Sequence, residues 1–169
     1  MDESGISRAL ENRDLDSTSL ANFAFRSFKL NRLIALHPNA DAALLSKLAH
    51  SPDKPTRRNV ALHPQTPRDV LLALAPTFPG EFFLNPVFDL LLLTEPNLLF
   101  DLPVGVLKNI LKRADCPHSF LNWAATHGDK SHQLALVERP DLSREQLELV
   151  ARGPHVRPAE IAAGRLLAL

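Results

Sequence analysis

The sequence predicts an all-α fold, an α-solenoid built from short helix pairs with a period of about 25 residues. Three observations predict it. The stretch Ala61 to Ala75, ALHPQTPRDVLLALA, repeats Ala35 to Ala49, ALHPNADAALLSKLA, at an offset of 26 residues. Hydrophobic residues make up 45% of the chain, with leucine dominant and only six glycines, a mixture that suits a folded helical protein and not a disordered one. Fourteen prolines fall mostly between apolar segments, where they punctuate short helices and do not break long ones.

Residues 1–19 are polar with little periodicity and predict a loose arm or a short capping helix. From Leu20 the pattern changes. Leu20, Phe23, Ala24, Phe28, Leu30, Leu33, Ile34 and Leu36 recur at three- and four-residue steps, as in one helix with a buried stripe. His37-Pro38 ends it, because the residue before proline is pushed out of the helical region. A second helix from about Asp41 to His50 turns Leu44, Leu45, Leu48 and Ala49 inward. After the turn Ser51 to Pro55 the unit begins again: Arg57 to His63 form a helix and Pro64 stops it. Thr66 reads as an N-cap with Pro67 at the first helical position, and Val70, Leu71, Leu74 and Ala75 line the buried side.

The centre is less regular. Ala75 to Gly80 breaks the pattern, and Phe83-Leu84-Asn85-Pro86 is a worn copy of Ala61 to Pro64. A helical run from Val104 to Arg113 follows. The repeat returns at Cys116-Pro117, with Leu121 aligned to Leu71 and Ala125 to Ala75, and again at Ser143 to Ala151. The second helices start at Asp41, Pro67, Pro117 and Ser143, at intervals of 26, 50 and 26 residues, so one diverged unit fills the double gap. A last helix from about Pro158 caps the open end. The predicted organisation is an arm or cap at 1–19 and a single repeat domain at 20–169. Its units lie near 31–56, 57–79, a diverged 80–115, 116–130 and 131–153, with a C-terminal cap at 154–169.

These residues resemble the variant leucine-rich repeat family, whose units read approximately V-R-x-x-V-A-x-N-P-x-T-P-x-x-L-L-x-x-L-A. Arg58, Val60, Ala61, Pro64, Thr66, Pro67, Leu71, Leu74 and Ala75 match, and Val156-Arg157 opens a final copy. The similarity covers roughly Asn31 to Leu169 and is strongest in the first two units. It implies a right-handed, HEAT-like solenoid in which an α-helix alternates with a second short helix, often 3₁₀, without strands. An iron–sulfur cluster ahead of the repeats has been associated with this family. Cys116 is the single cysteine here, so this chain alone cannot supply the ligands of such a cluster and no redox role carries over.

Charge is balanced, with 19 basic and 19 acidic side chains, and gives no global case for nucleic acid or membrane. The distribution is uneven. Arg26 to Arg68 holds eight Lys or Arg against two Asp, whereas Glu81 to Leu107 holds four acids and no base. No apolar tract approaches the ~20 residues of a membrane span, the first residues lack the apolar core of a secretory signal, and one cysteine suits a reducing cytoplasm.

Candidate chemistry is weighed against packing. His37 and His63 sit one repeat apart, either sharing a metal or ending helices at the negative terminus, and the second reading is preferred because nothing completes four ligands. His127 and His132 read as loop residues around Gly128-Asp129. Arg32 and Arg58 also repeat, either gripping an acidic peptide or phosphate backbone or bridging to carbonyls or an Asp of the next unit. Lys54, Arg57 and Arg68 add to that basic region. Trp123 reads as core or edge packing, and Cys116 as structural. The apolar tract Phe82 to Phe100, with Phe82, Phe83 and Phe88, either fills a wide core or leaves a patch for a partner or a homodimer contact. No nucleophile motif or Gly-rich phosphate loop occurs.

The expected function is therefore a non-catalytic, bacterial-type protein–protein interaction scaffold without cofactor or metal, contacting its partner through Arg32, Lys54, Arg57, Arg58, Arg68, Phe82, Phe83 and Phe88. The alternative is binding of the DNA phosphate backbone by the basic N-terminal repeats.

Overall fold

The structure is a computed structural model that describes residues 2–95 and 97–169. Among the described residues the chain is all helical, with thirteen α-helices, one 3₁₀ helix and no strand. It divides into two compact units, one running to Val87 and the other from Phe88 to Leu169.

The first unit holds α1 (Glu3–Ala9), α2 (Ser17–Phe23), α3 (Phe28–Ile34), α4 (Ala42–Leu48), α5 (Lys54–Leu62), α6 (Arg68–Leu74) and α7 (Pro79–Leu84). The second holds α8 (Phe88–Thr94), a 3₁₀ turn at Leu98–Asp101, α9 (Val104–Leu111), α10 (His118–Thr126), α11 (Lys130–Val137), α12 (Arg144–Ala151) and α13 (Val156–Leu166). The longest, α13, has eleven residues. Helices this short do not persist alone in water, so packing has to hold them.

Their starts are regular. The N-caps of the odd-numbered helices are Asp2, Ser27, Asp53, Phe78, Pro103, Asp129 and His155, at successive spacings of 25, 26, 25, 25, 26 and 26 residues. Where the cap is Asp or Ser, its side-chain oxygen accepts an amide of the first turn, as Asp53 does from Thr56 at 2.9 Å. In α2, α4, α6, α10 and α12, five of the even-numbered helices, a leucine stands four residues after the cap: Leu20, Leu45, Leu71, Leu121 and Leu147. Each amide donates to the cap's carbonyl at 2.9 to 3.1 Å, and each side chain is buried. Odd helices pack on the next odd helix: α1 on α3, α3 on α5 and α5 on α7 in the first unit, and α9 on α11 and α11 on α13 in the second.

The core of the first unit gathers Ile6 and Leu10 of the N-terminal segment with Leu20, Leu30, Ile34, Leu45, Leu48, Val60 and Phe78. Residues 1–19, left open between arm and cap, thus contribute a helix with a buried face. Two expectations for this unit are corrected. The stripe Leu20 to Leu36 belongs to two helices and not one, because Phe25 takes a left-handed backbone (φ 64°) and Ser27 then caps α3. Thr66 does not cap α6: its hydroxyl donates back to the Val60 carbonyl at 2.6 Å, and Pro67, which lacks a capping oxygen, stands at the N-cap.

Candidate functional site

The two histidines that repeat in the sequence are committed to the backbone. His63 Nε2 lies 3.0 Å from the His37 carbonyl, which only accepts, while its Nδ1 takes the Gln65 amide at 3.1 Å. The ring is therefore the neutral Nε2–H tautomer. His37 repeats this arrangement one unit earlier, with Nε2 on the Asn12 carbonyl at 3.0 Å and Nδ1 on the Asn39 amide at 3.2 Å. With both nitrogens of both rings engaged, neither has a lone pair for a metal. Burial pushes the His63 pKa below the ordinary histidine value, against the bond to His37, so its role is not that of a charged helix end.

Other side chains fill the same place. Asn85 Nδ2 donates to the Ala61 and His63 carbonyls at 2.9 and 3.0 Å. In the second unit Arg139 reaches the Leu111 and Arg113 carbonyls, and Arg165 reaches those of Val137 and Arg139. A side chain at or just past the C-terminal end of one odd helix thus satisfies carbonyls at or just past the end of the preceding one, 22 to 28 residues back.

The basic candidates fare unequally. Arg32 chelates Asp53 through Nε at 2.9 Å and through a terminal nitrogen at 2.6 Å, and this pairing, with the Thr56 bonds, holds the Asp53 carboxyl far below its usual range. Arg58 pairs with Glu81. Arg57 lies over the Phe78 ring, 5.8 Å from its centroid. Lys54 and Arg68 are exposed on α5 and α6. Phe82, Phe83 and Phe88, expected as partner contacts, are a correction: all three are buried. The exposed apolar residues of that tract are Leu84, Leu90, Leu93 and Phe100.

What the first unit does present is a cleft of about 610 Å³ where the loop into α3 meets the end of α4. Phe25, Arg26, Phe28, Lys47, His50 and Pro52 line it, and no acidic side chain does. Phe25 and Phe28 are 56% and 53% exposed, unusual for two neighbouring aromatic rings. The Phe25 amide donates to Oδ1 of the buried Asn31 at 2.7 Å, which pins the left-handed turn. Arg26 Nε donates to the Asn22 carbonyl and His50 Nδ1 lies 2.9 Å from the Ser46 carbonyl. The Lys47 side chain makes no hydrogen bond or ion pair among the described residues, and, after the Ser17 hydroxyl, its charge helps hold the Asp41 carboxyl below its usual range. Sequence reasoning missed this site. Arg26 was visible in the basic stretch, but apolar periodicity placed Phe28 on a buried stripe and gave Phe25 no role.

Compared with protein-family models, curated proteins and solved structures, the chain matches none.

The second unit carries a smaller cleft of about 460 Å³ between Leu92, Leu93, Trp123 and His127. Trp123 is buried, with ring centroids 5.2, 5.5 and 5.7 Å from Phe100, Phe120 and His132. His132, expected in a loop, stands inside α11 and is buried. Its Nδ1 lies 3.0 Å from Asp129 Oδ1, out of line for a hydrogen bond, and burial lowers its pKa. Cys116 is also buried, which pushes its thiol up to about 11 and removes nucleophilic character.

Proposed function

We propose that the chain is a non-catalytic protein-interaction scaffold, a right-handed α-solenoid of short helix pairs akin to the variant leucine-rich repeats. The observation that carries it is the recurrent bridge. His37, His63, Arg139 and Arg165 each spend their polar groups on carbonyls 25 to 28 residues earlier. Side chains used in this way hold successive helix pairs in register and have nothing left for turnover. Solenoids whose units contact only their neighbours serve as extended binding surfaces.

The pairing of Arg32 with Asp53 and of Arg58 with Glu81 counts against the nucleic-acid reading, since each carboxylate would repel a phosphate. Affinity capture from nuclease-treated extract of the source cells, with duplex DNA titrated in parallel, tests the choice. A scaffold retains a protein partner and shows little DNA binding. Phosphate recognition would instead appear as DNA affinity falling by about 10³ or more between roughly 50 and 200 mM salt, and that result would overturn the scaffold reading.

A further inference from the structure

We propose that the cleft between the α3 entry loop and the end of α4 is a docking site for a short acidic peptide segment with one apolar anchor. This rests on the scaffold reading and names its partner's chemistry. Three features point there together. The side chains of Phe25 and Phe28 are both exposed and line one cleft, in a chain that buries most of its large apolar residues. Arg26, Lys47 and His50 line the same cleft. No acidic side chain lines the cleft: Glu3 touches it only through the Ser27 hydroxyl at 3.0 Å, and Asp53 is paired with Arg32.

The geometry also shows preorganisation. Phe25 is, among the described residues, the one non-glycine residue with positive φ, and for a bulky side chain that conformation is strained. Its amide is tied to the buried Asn31, so the strain is imposed by the fold and turns the ring outward. A packing role would not need it, since a glycine would make the same turn without cost. The result is an apolar anchor pocket rimmed by cations, which is the complement of an apolar side chain flanked by Asp or Glu.

A single-stranded nucleic acid would also meet aromatic rings and positive charge. It needs a track of free cations along its backbone, however. Here Arg32 and Arg58 are each paired with a carboxylate, Lys29 and Lys54 stand outside the cleft, and the cations that line it, Arg26 and Lys47, suit about two carboxylates.

The test titrates the isotope-labelled full chain with four probes, followed by amide chemical-shift changes. The probes are a short peptide with one leucine among glutamates, the same peptide with lysines for glutamates, the same with alanine for leucine, and a short oligo-dT strand. The acidic leucine peptide should shift the amides of Phe25, Arg26, Phe28, Lys47 and His50, and should bind about tenfold more tightly than each of the others. Lys47→Glu and Arg26→Glu should each weaken it by about tenfold. Phe25→Gly should weaken it similarly while melting at the same temperature as wild type or higher, a combination that a purely structural Phe25 would not produce. Equal binding of acidic and basic peptides, tighter binding of oligo-dT, shifts confined to other surfaces, or binding indifferent to Phe25→Gly overturns the proposal. If no probe binds here while a captured partner is retained through another surface, the proposal fails and the scaffold reading stands.

Discussion

Replacement of Arg139 by methionine isolates the bridge between successive helix pairs. The Arg139 side chain is 6% exposed. It donates to the Leu111 and Arg113 carbonyls, the latter at 2.6 Å, and to both oxygens of Asp141 at 2.9 and 2.5 Å. Methionine retains the apolar stem and deletes the head. Two charge-assisted bonds to carbonyls are lost, each contributing about 1.5 kcal/mol, and the carbonyl of the buried Leu111 keeps a desolvation cost of about 1 kcal/mol. The expected loss is therefore about 4 kcal/mol. Lysine should not restore it, because one ammonium cannot span two carbonyls and a carboxylate. The assay is urea unfolding followed by fluorescence. Trp123 is the only tryptophan and lies buried in the same unit, so its emission reports that unit. Arg144→Ala, which removes an exposed pair with Glu148, serves as the control and should cost no more than about 0.5 kcal/mol. A loss under about 1 kcal/mol for Arg139→Met would refute the idea that these bridges hold the helix pairs in register.

Three further outcomes are expected. His63 titrates below its ordinary value when folded, so the stability of its neutral ring is complete above the unfolded pKa of about 6.5 and is lost as pH falls below it; His63→Gln should flatten the pH dependence of urea unfolding between about pH 7 and pH 5. Ala75 has no exposed surface, so Ala75→Leu should overpack its site and cost about 1–3 kcal/mol in a thermal melt, whereas Ala49→Leu at the half-buried equivalent should cost less. The Cys116 thiol, held near 11, should react slowly with iodoacetamide at about pH 8 and speed up sharply once urea opens the second unit.

The spacing of the even-numbered helices α4, α6, α10 and α12 was readable because leucine, proline and capping residues recur. The intervals from Asp41 to Ser143 implied a worn unit in the middle, and α7 and α8 fall there. The break at Phe25 was not readable, since Leu20 to Leu36 satisfies helical periodicity and only the tertiary hold of Asn31 on the Phe25 amide selects a left-handed turn. The same limit hid the cleft, as a stripe of apolar residues does not say which of them the next element covers. The bridges were half legible. His37 and His63 share a motif, whereas Asn85, Arg139 and Arg165 do the same work with unrelated side chains, and sequence identity cannot align a shared hydrogen bond. Arg32 and Arg58 did repeat visibly, and each meets a carboxylate near the start of the next odd helix.

The two histidine bridges of the first unit point the same way. Each ring accepts a hydrogen bond from the amide of its own turn and donates one to a carbonyl of the turn before, so the relay runs from Gln65 through His63 to His37, and from Asn39 through His37 to Asn12. Such a relay has a terminus, and the N-terminal segment supplies it. Trimming the chain past Asn12 would therefore not shave a passive tail; it would strand the last donor in an apolar interior and unzip the module from that side.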